Sequence, residues 1–374
     1  MIIAGEASGD LHAAKLVKAV KAHRPDIEFY GIGGEDMREA GVEVMVDAAE
    51  LAVVGLVEIW AHRKVIFGAL NTMRQQIHDN PPDLLVLVDY PEFNLRLAKA
   101  AKQHGVKVLY YISPQVWAWR QYRVKKIRQR VDMMAVVFPF EETFYRQHQV
   151  PVEFVGHPLV DEVKASTDRD SLRKQFNLKN DQPVIGLFPG SRRSEIKRLL
   201  AIILQSAACL KQKYPGAQFL LPLAPGLKYS DIQAYLQPHP DLAIQVIEDR
   251  AYDVMASCDV IITVSGTVTL EIALIGTPLL IINKVAWLTY AIVHRMLKIK
   301  HIGLCNIVAD KRIAPELIQN EATPADICQS IADLLEQPAT RERMRTDLGQ
   351  IETMLGKKGG IENTAQLVIS MVGN

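Results

Sequence analysis

Two kinds of apolar pattern alternate along this chain. Short unbroken runs occur at MIIAG (1–5), IEFYGIG (27–33), LLVLVD (84–89), VKVLYYIS (106–113), MMAVVF (133–138) and VEFVG (152–156). They resume at VIGLFPG (184–190), QFLLPLA (218–224), LAIQVIE (242–248), VIITVS (260–265) and PLLIIN (278–283). Between several of them lie stretches with apolar residues at three- and four-residue spacing, as in LHAAKLVKAVKAH (11–23). Unbroken apolar runs alternating with amphipathic helices suit parallel strands covered on both faces. The expected fold class is therefore α/β. The segment 161–183 is polar and charged, and after it VIGLFPGSRRSEI repeats the opening arrangement of strand, Gly/Ser loop and helix. The pattern predicts two Rossmann-like, doubly wound domains facing a cleft, at residues 1–165 and 166–345. A helical segment, 346–374, ends the chain and is free to cross back. In such folds ligands bind beyond the carboxyl ends of the strands.

Composition narrows the function classes. A length of 374 residues accommodates two domains, and 49% hydrophobic against 23% charged residues excludes wholesale disorder. Forty-three basic against 42 acidic residues leave a net charge of +1, which argues against a nucleic-acid partner. Cys209, Cys258, Cys305 and Cys328 are scattered without a CxxC pair, which speaks against a zinc or redox site and for a reducing, cytoplasmic compartment. Neither a signal peptide nor an 18-residue apolar run is expected.

The candidate chemistry lies in loops that follow strands. AGEASGD (4–10) lacks the glycine spacing of a dinucleotide fingerprint and the Lys of a Walker loop. Gly5 and Gly9 permit a tight turn, and Ser8 or Asp10 can cap the next helix. Two carboxylates disfavour a bare phosphate and suit sugar hydroxyls. The alternative is only a capped turn. PGSRRSEIKR (189–198) is the stronger phosphate candidate: Gly190 and Ser191 end a strand, and a helix start offers free N–H groups beside Arg192 or Arg193. The alternative there is an exposed helix start with solvated arginines. In SGTVTLE (265–271), Ser265, Gly266 and Thr267 offer donors and Glu271 offers a carboxylate for ribose hydroxyls; the alternative, a capping box, has Glu271 one residue too far on. Asp89, at the end of LLVLVD, is either a general base or a helix cap. His157, in a Gly-His-Pro loop, is not taken as a ligand.

Two further stretches point to a lipid surface or to ordinary structure. RQYRVKKIRQR (120–130) holds six basic residues and no acid. Its default is a solvated face; its sharper reading is attraction to anionic head groups or a substrate phosphate, at about 1 kcal/mol per charge near a membrane. Trp117 and Trp119 just before it suit an interface. The stretch 52–77 is apolar over a wide arc, through Val53, Leu56, Ile59, Trp60, Val65, Ile66, Phe67 and Leu70. It reads either as a buried helix pair or as a patch that meets acyl chains.

Taken together, AGEASGD (4–10), GIGG (31–34), LVDYPEFN (87–94), YYISPQVWAWR (110–120), VGHPLVD (155–161), LFPGSRRSEI (187–196), SGTVTLE (265–271) and NIV (306–308) closely resemble one family over essentially the whole chain. It is the lipid A disaccharide synthases, inverting glycosyltransferases with the GT-B fold. The resemblance implies UDP-2,3-diacylglucosamine as donor and 2,3-diacylglucosamine 1-phosphate (lipid X) as acceptor. The products would be a β-1,6-linked disaccharide 1-phosphate and UDP, made at the inner face of a Gram-negative inner membrane. It implies catalytic roles for Asp89 and Glu6, with Glu6 and Ser8 in an active-site loop that also holds Gly9 and Asp10, and UDP contacts from Arg192 and Asn306. No metal motif stands in a suitable loop, so no cofactor is expected. A homo-oligomer is allowed. The family pattern has a longer first strand, which leaves open a start upstream of Met1. Rival readings are another GT-B enzyme, such as a sugar-nucleotide 2-epimerase or a transferase with a soluble acceptor, and a non-enzymatic sugar-nucleotide sensor.

Overall fold

The computed structural model describes residues 1–51, 58–119, 121–285, 300–356 and 358–373, with only the backbone course given for 58–63. The chain divides into two compact units, Met1–Asp161 with Leu355–Asn374, and Glu162–Met354. The sequence pattern put the divisions after 165 and 345. Contacts put the divisions after Asp161 and Met354, and the end of the chain, from Leu355, crosses back into the first unit.

Among the described residues the first unit holds β1 (Ile2–Ala4), β2 (Tyr30–Gly33), β3 (Glu43–Asp47), β4 (Leu84–Val88), β5 (Lys107–Tyr111), β6 (Met133–Val136) and β7 (Val152–Phe154). They form one sheet in the order β3-β2-β1-β4-β5-β6-β7, every pair parallel. The second unit holds β8 (Val184–Phe188), β9 (Gln218–Leu223), β10 (Gln245–Glu248), β11 (Val260–Val264), β12 (Leu279–Asn283) and β13 (Glu316–Ile318). Their order is β10-β9-β8-β11-β12-β13, again all parallel. The central strands are buried along their whole length: β1, β4, β8 and β11 show no exposed position. The apolar runs arise from this cover on both faces. The pattern passed over β3 and β13, both at sheet edges; β3 has no buried position and β13 has only 3 residues.

In each sheet the winding reverses once, between β1 and β4 and between β8 and β11. Loops after those strands leave toward opposite faces, so a crevice opens there. The loops so placed are AGEASGD and DYPEFN in the first unit, PGSRR and SGTVTLE in the second.

The charged stretch 161–183 is not a bare connection. Helix Arg169–Gln175 packs in the second unit, where buried Arg173 pairs with Asp259 at 2.9 Å and donates Nε–H to the Ser257 carbonyl at 3.0 Å. Arg169 reaches the other Asp259 oxygen at 2.5 Å, and the Val184 N–H at the head of β8 donates to Asp259 at 2.8 Å. Burial alone would raise the Asp259 carboxyl, but the Val184 N–H and the two guanidiniums outweigh it and hold it below the ordinary carboxylate range. The motif VGHPLVD likewise serves the fold. Its His157 N–H donates to Leu355 O at 3.0 Å, the Val155 carbonyl accepts from Asn363, and the Asp161 carboxylate accepts the Gly359 N–H at 2.9 Å. Together these seat the last helix, Gly360–Val372, in the first unit. His157 is buried, takes the Leu159 N–H on Nδ1, and is driven down to about 3 by desolvation and then by His12. Cys209 and Cys328, scattered in the sequence, are joined in a disulfide between helices Ala201–Lys213 and Pro324–Glu336. Sequence spacing gave no sign of it, because the pairing spans 119 residues.

Replacing Asp259 by Ala strands the buried Arg173 guanidinium. We expect a loss of about 3 kcal/mol of stability, as for other broken buried pairs, in urea unfolding of the full chain. A loss below ~1 kcal/mol would show that the cluster does not hold the second unit together.

Candidate active site

The loop after β4 is the most strained segment of the first unit's crevice. Asp89 and Tyr90 have φ of 46° and 43°, two consecutive non-glycine residues in the left-handed region. Each such residue costs on the order of 1–3 kcal/mol and persists only where its surroundings over-determine it. Just past the end of the neighbouring strand β5, Ile112, β-branched, has φ 61°. Helix Pro91–Gln103 begins at once, with Pro at its first position. The turn leaves the Asp89 carboxyl half-buried at the strand end. Desolvation, then repulsion from Glu6, raises it to about 6. Gly5 is required beneath this turn, because a Cβ there would run into the Tyr90 ring.

In the loop after β1, Glu6 and Ser8 are exposed whereas Gly9 and Asp10 are buried. Asp10 caps not its own helix but the one at Glu35–Glu39: it accepts the Gly34 N–H at 2.6 Å and the Asp36 N–H at 3.1 Å. Its carboxylate is thereby spent on binding GIGG to AGEASGD. Gly9 packs near Ala4 and Val88 in the core. Of this loop, Glu6 and Ser8 remain presented to a ligand.

In the second unit the PGSRR loop follows β8, and Gly190 has φ 111°. The Ser191 and Arg192 N–H groups both donate to the Glu195 carboxylate, at 2.9 and 3.2 Å. An anion does sit on these amides, and it is the protein's own. Arg193 is engaged by Asp231 at 3.0 Å, while Arg192 has only a looser contact with Glu195 at 3.6 Å and is 78% exposed. Arg192 is therefore the arginine more available to a ligand. After β11, Ser265 accepts from Asn283 at 2.8 Å, Gly266 has φ 155°, and Thr267 is exposed ahead of helix Val268–Ile275. Glu271 accepts the Tyr252 hydroxyl at 3.3 Å, and burial raises its carboxyl. Thr267 makes no side-chain cap, so Glu271 is not part of a capping box.

Three expectations need correction. Asn306, expected at the nucleotide, is fully buried. Its amide donates to Ala314 O and Glu316 and accepts the Ile313 and Ala314 N–H groups, so its capacity is used within the fold. Trp117 is core, not interface: its Nε1–H donates to buried Glu141 at 3.0 Å, whereas Trp119 is 36% exposed. Leu70, assigned to the acyl patch, packs in the core with Met73 and Ile77. Along helix Glu58–Asp79, Ile66 is partly buried against that core, while Val65 and Phe67 are exposed. Val53 and Leu56 lie outside the described residues, as do the side chains of Ile59 and Trp60. Sequence reading missed Asn94, Tyr110, Tyr252 and Glu195. Only Asn94, a lone amide among apolar helical positions, carried a visible signal.

Two parallel sheets with strain and charge at their switch points define a class. Over 94% of its length the chain matches 96% of the UDP-GlcNAc 2-epimerase of Neisseria meningitidis, solved with UDP-GlcNAc bound, at TM-score 0.61 and 13% identity. Over its full length it matches 98% of a Rickettsia africae glycosyltransferase at TM-score 0.60 and 12% identity. The fold is thus GT-B. The family profile of lipid-A-disaccharide synthetase matches residues 1–368. The chain is 54% identical over 373 residues to the lipid-A-disaccharide synthase of Geobacter sulfurreducens, covering 100% of this chain and 97% of that one. It is 51% identical over 371 residues to that of Nitrosococcus oceani, covering 99% and 95%. The chain belongs to the lipid-A-disaccharide synthetase family and is a glycosyltransferase.

Because Glu6 adds to the desolvation of Asp89, Glu6→Gln should move the Asp89 midpoint below about 6. Carbon-13 NMR titration of the labelled carboxylates reads this directly. A midpoint that stays or rises removes Glu6 as its neighbour in charge.

Proposed function

We propose that the chain transfers 2,3-diacylglucosamine from its UDP-activated form to the 6-hydroxyl of lipid X. Asp89 takes the hydroxyl proton as the acceptor oxygen bonds to the donor's anomeric carbon from the face opposite the diphosphate. The bond from that carbon to the diphosphate oxygen breaks, and UDP leaves with the electron pair. The single observation that carries this reading is the half-buried Asp89 on its strained turn at the first sheet's switch point, with its carboxyl raised to about 6. A base so tuned is ionised at neutral pH yet still accepts a proton. Activity should therefore rise with pH through this midpoint. Glu6 and Ser8 offer contacts to sugar hydroxyls.

The second unit holds UDP. Arg192 and the N–H groups of the PGSRR loop meet the growing charge on the diphosphate, which takes over from the Glu195 carboxylate on those amides. Glu271, steadied by Tyr252, suits the ribose hydroxyls. Such fixed donors supply the leaving-group stabilisation without a metal ion, so turnover persists in EDTA. The family match over residues 1–368 favours this reading over a 2-epimerase, whose likeness extends to the fold alone.

Both substrates carry acyl chains. Among the described residues no helix is long and apolar enough to cross a membrane. Exposed Val65 and Phe67 would meet the inner face of the inner membrane as a peripheral contact, with Lys125, Lys126 and Arg128 as exposed basic residues of the same unit.

Purified protein with the acylated donor and lipid X, in detergent and EDTA, should release UDP and disaccharide. Asp89→Asn should lower turnover by at least ~10²-fold with UDP affinity unchanged in calorimetry; an active variant sinks the base assignment. Val65→Ser with Phe67→Ser should release the folded protein from anionic vesicles. Unchanged vesicle binding would remove these two side chains from the lipid contact.

A further inference from the structure

The turn that carries Asp89 is held from within the fold by two side chains that no ligand reaches. Asn94 is fully buried, one turn into helix Pro91–Gln103. Its amide donates to the Val88 carbonyl at 3.2 Å and to the Asp89 carbonyl at 2.7 Å. Tyr110, also fully buried, reaches across from β5 and donates its hydroxyl to the same Asp89 carbonyl at 2.5 Å. Two carbonyl acceptors fix the orientation of the amide, since only its NH₂ end can serve them. The main chain adds two further ties: Asn94 N–H to Tyr90 O at 3.1 Å, and Asp89 N–H to Tyr111 O at 3.3 Å.

Packing alone does not require these residue types. Leu at 94 and Phe at 110 would fill similar volumes without burying polar atoms, and a buried amide and phenol are costly unless paired. Here their donated hydrogen bonds converge on one backbone carbonyl, that of the residue forced into the left-handed region. That conformation sets where the Asp89 Cα–Cβ bond points. A relaxation to the extended or right-handed region would swing the carboxylate away from the strand end. Burial keeps the Tyr110 hydroxyl neutral, so it remains a donor throughout the working pH range.

We propose that Asn94 and Tyr110 are positioning residues that lock the Asp89 backbone in its left-handed conformation and so aim its carboxylate at the acceptor hydroxyl. This rests on Asp89 acting as the base, and it assigns the Asn of LVDYPEFN and the first Tyr of YYISPQVWAW a role that reaches substrate only through Asp89.

Tyr110→Phe removes one hydroxyl and keeps the ring, so it should stay folded. It should lower kcat by about 10-fold or more, leaving KM for the UDP-sugar and the Kd for UDP within about twofold. Asn94→Ala should act in the same direction. Added to Asp89→Asn, Tyr110→Phe should cost nothing more, because a lock on an absent base has no effect. The same factor lost in both backgrounds, or a parallel fall in UDP affinity, would overturn the proposal. A crystal structure of Tyr110→Phe separates this from failure of the catalytic reading. Asp89 leaving positive φ supports the lock, and Asp89 staying near 46° overturns it, whether or not Asp89→Asn proves inactive.

Discussion

In a sheet whose strands all run parallel, each strand must be followed by a crossover that covers one face, and all carboxyl ends collect along one edge. Both sheets of this protein obey that constraint, and the rest of the molecule follows from it. Strands covered on two faces are mostly apolar, and the polar side chains they do carry, such as Tyr110 and Thr263, are buried. Reactive groups are pushed into the loops at the carboxyl edge. Among those loops, the pair where the winding reverses is set apart, because their helices depart to opposite faces. Asp89 and Glu6 flank one such point, and Arg192 and Glu271 flank the other.

The same constraint explains why so many polar residues in the family motifs turn out to be internal. A loop between a buried strand and a packed helix has backbone groups that water cannot reach, and side chains must satisfy them. Asp10 does this for the Gly34 loop, Asn306 and Glu316 for residues 302–314, and Asp259 for the head of β8. Asp10 shares the AGEASGD motif with exposed Glu6 and Ser8, and Asn306 belongs to the NIV motif. A motif therefore marks a neighbourhood, within which burial separates contact from support. Glu195 caps the PGSRR loop by accepting the Ser191 and Arg192 N–H groups, and under the proposed UDP assignment it is the anion that a diphosphate would replace.

Strain is distributed in the same way. Asp89, Tyr90 and Ile112 carry positive φ just past the carboxyl ends of β4 and β5, strands whose interiors are regular. The surrounding sheet and helix supply the rigidity that lets a costly backbone survive. The Asn94 and Tyr110 hydrogen bonds concentrate that support on one carbonyl.

Much of this was legible in the sequence. The apolar runs marked the central strands, and periodicity marked the helices. The loops at 4–10, 89–94, 189–198 and 265–271 were identifiable because glycine, hydroxyl and charge cluster there against an apolar background. Edge strands β3 and β13 escaped because the first is partly exposed along its length and the second is only 3 residues long, so neither shows the unbroken pattern. The sequence by itself determined the central strands, the loops where candidate chemistry clusters, and which family the chain resembles, since these depend on neighbours in the chain. Only the tertiary structure decided that Asn306, Trp117 and Leu70 face inward, that Cys209 meets Cys328, and that Tyr110 holds Asp89. Each depends on which distant backbone group or side chain lies opposite, and that is fixed by strand order and packing rather than by spacing along the chain.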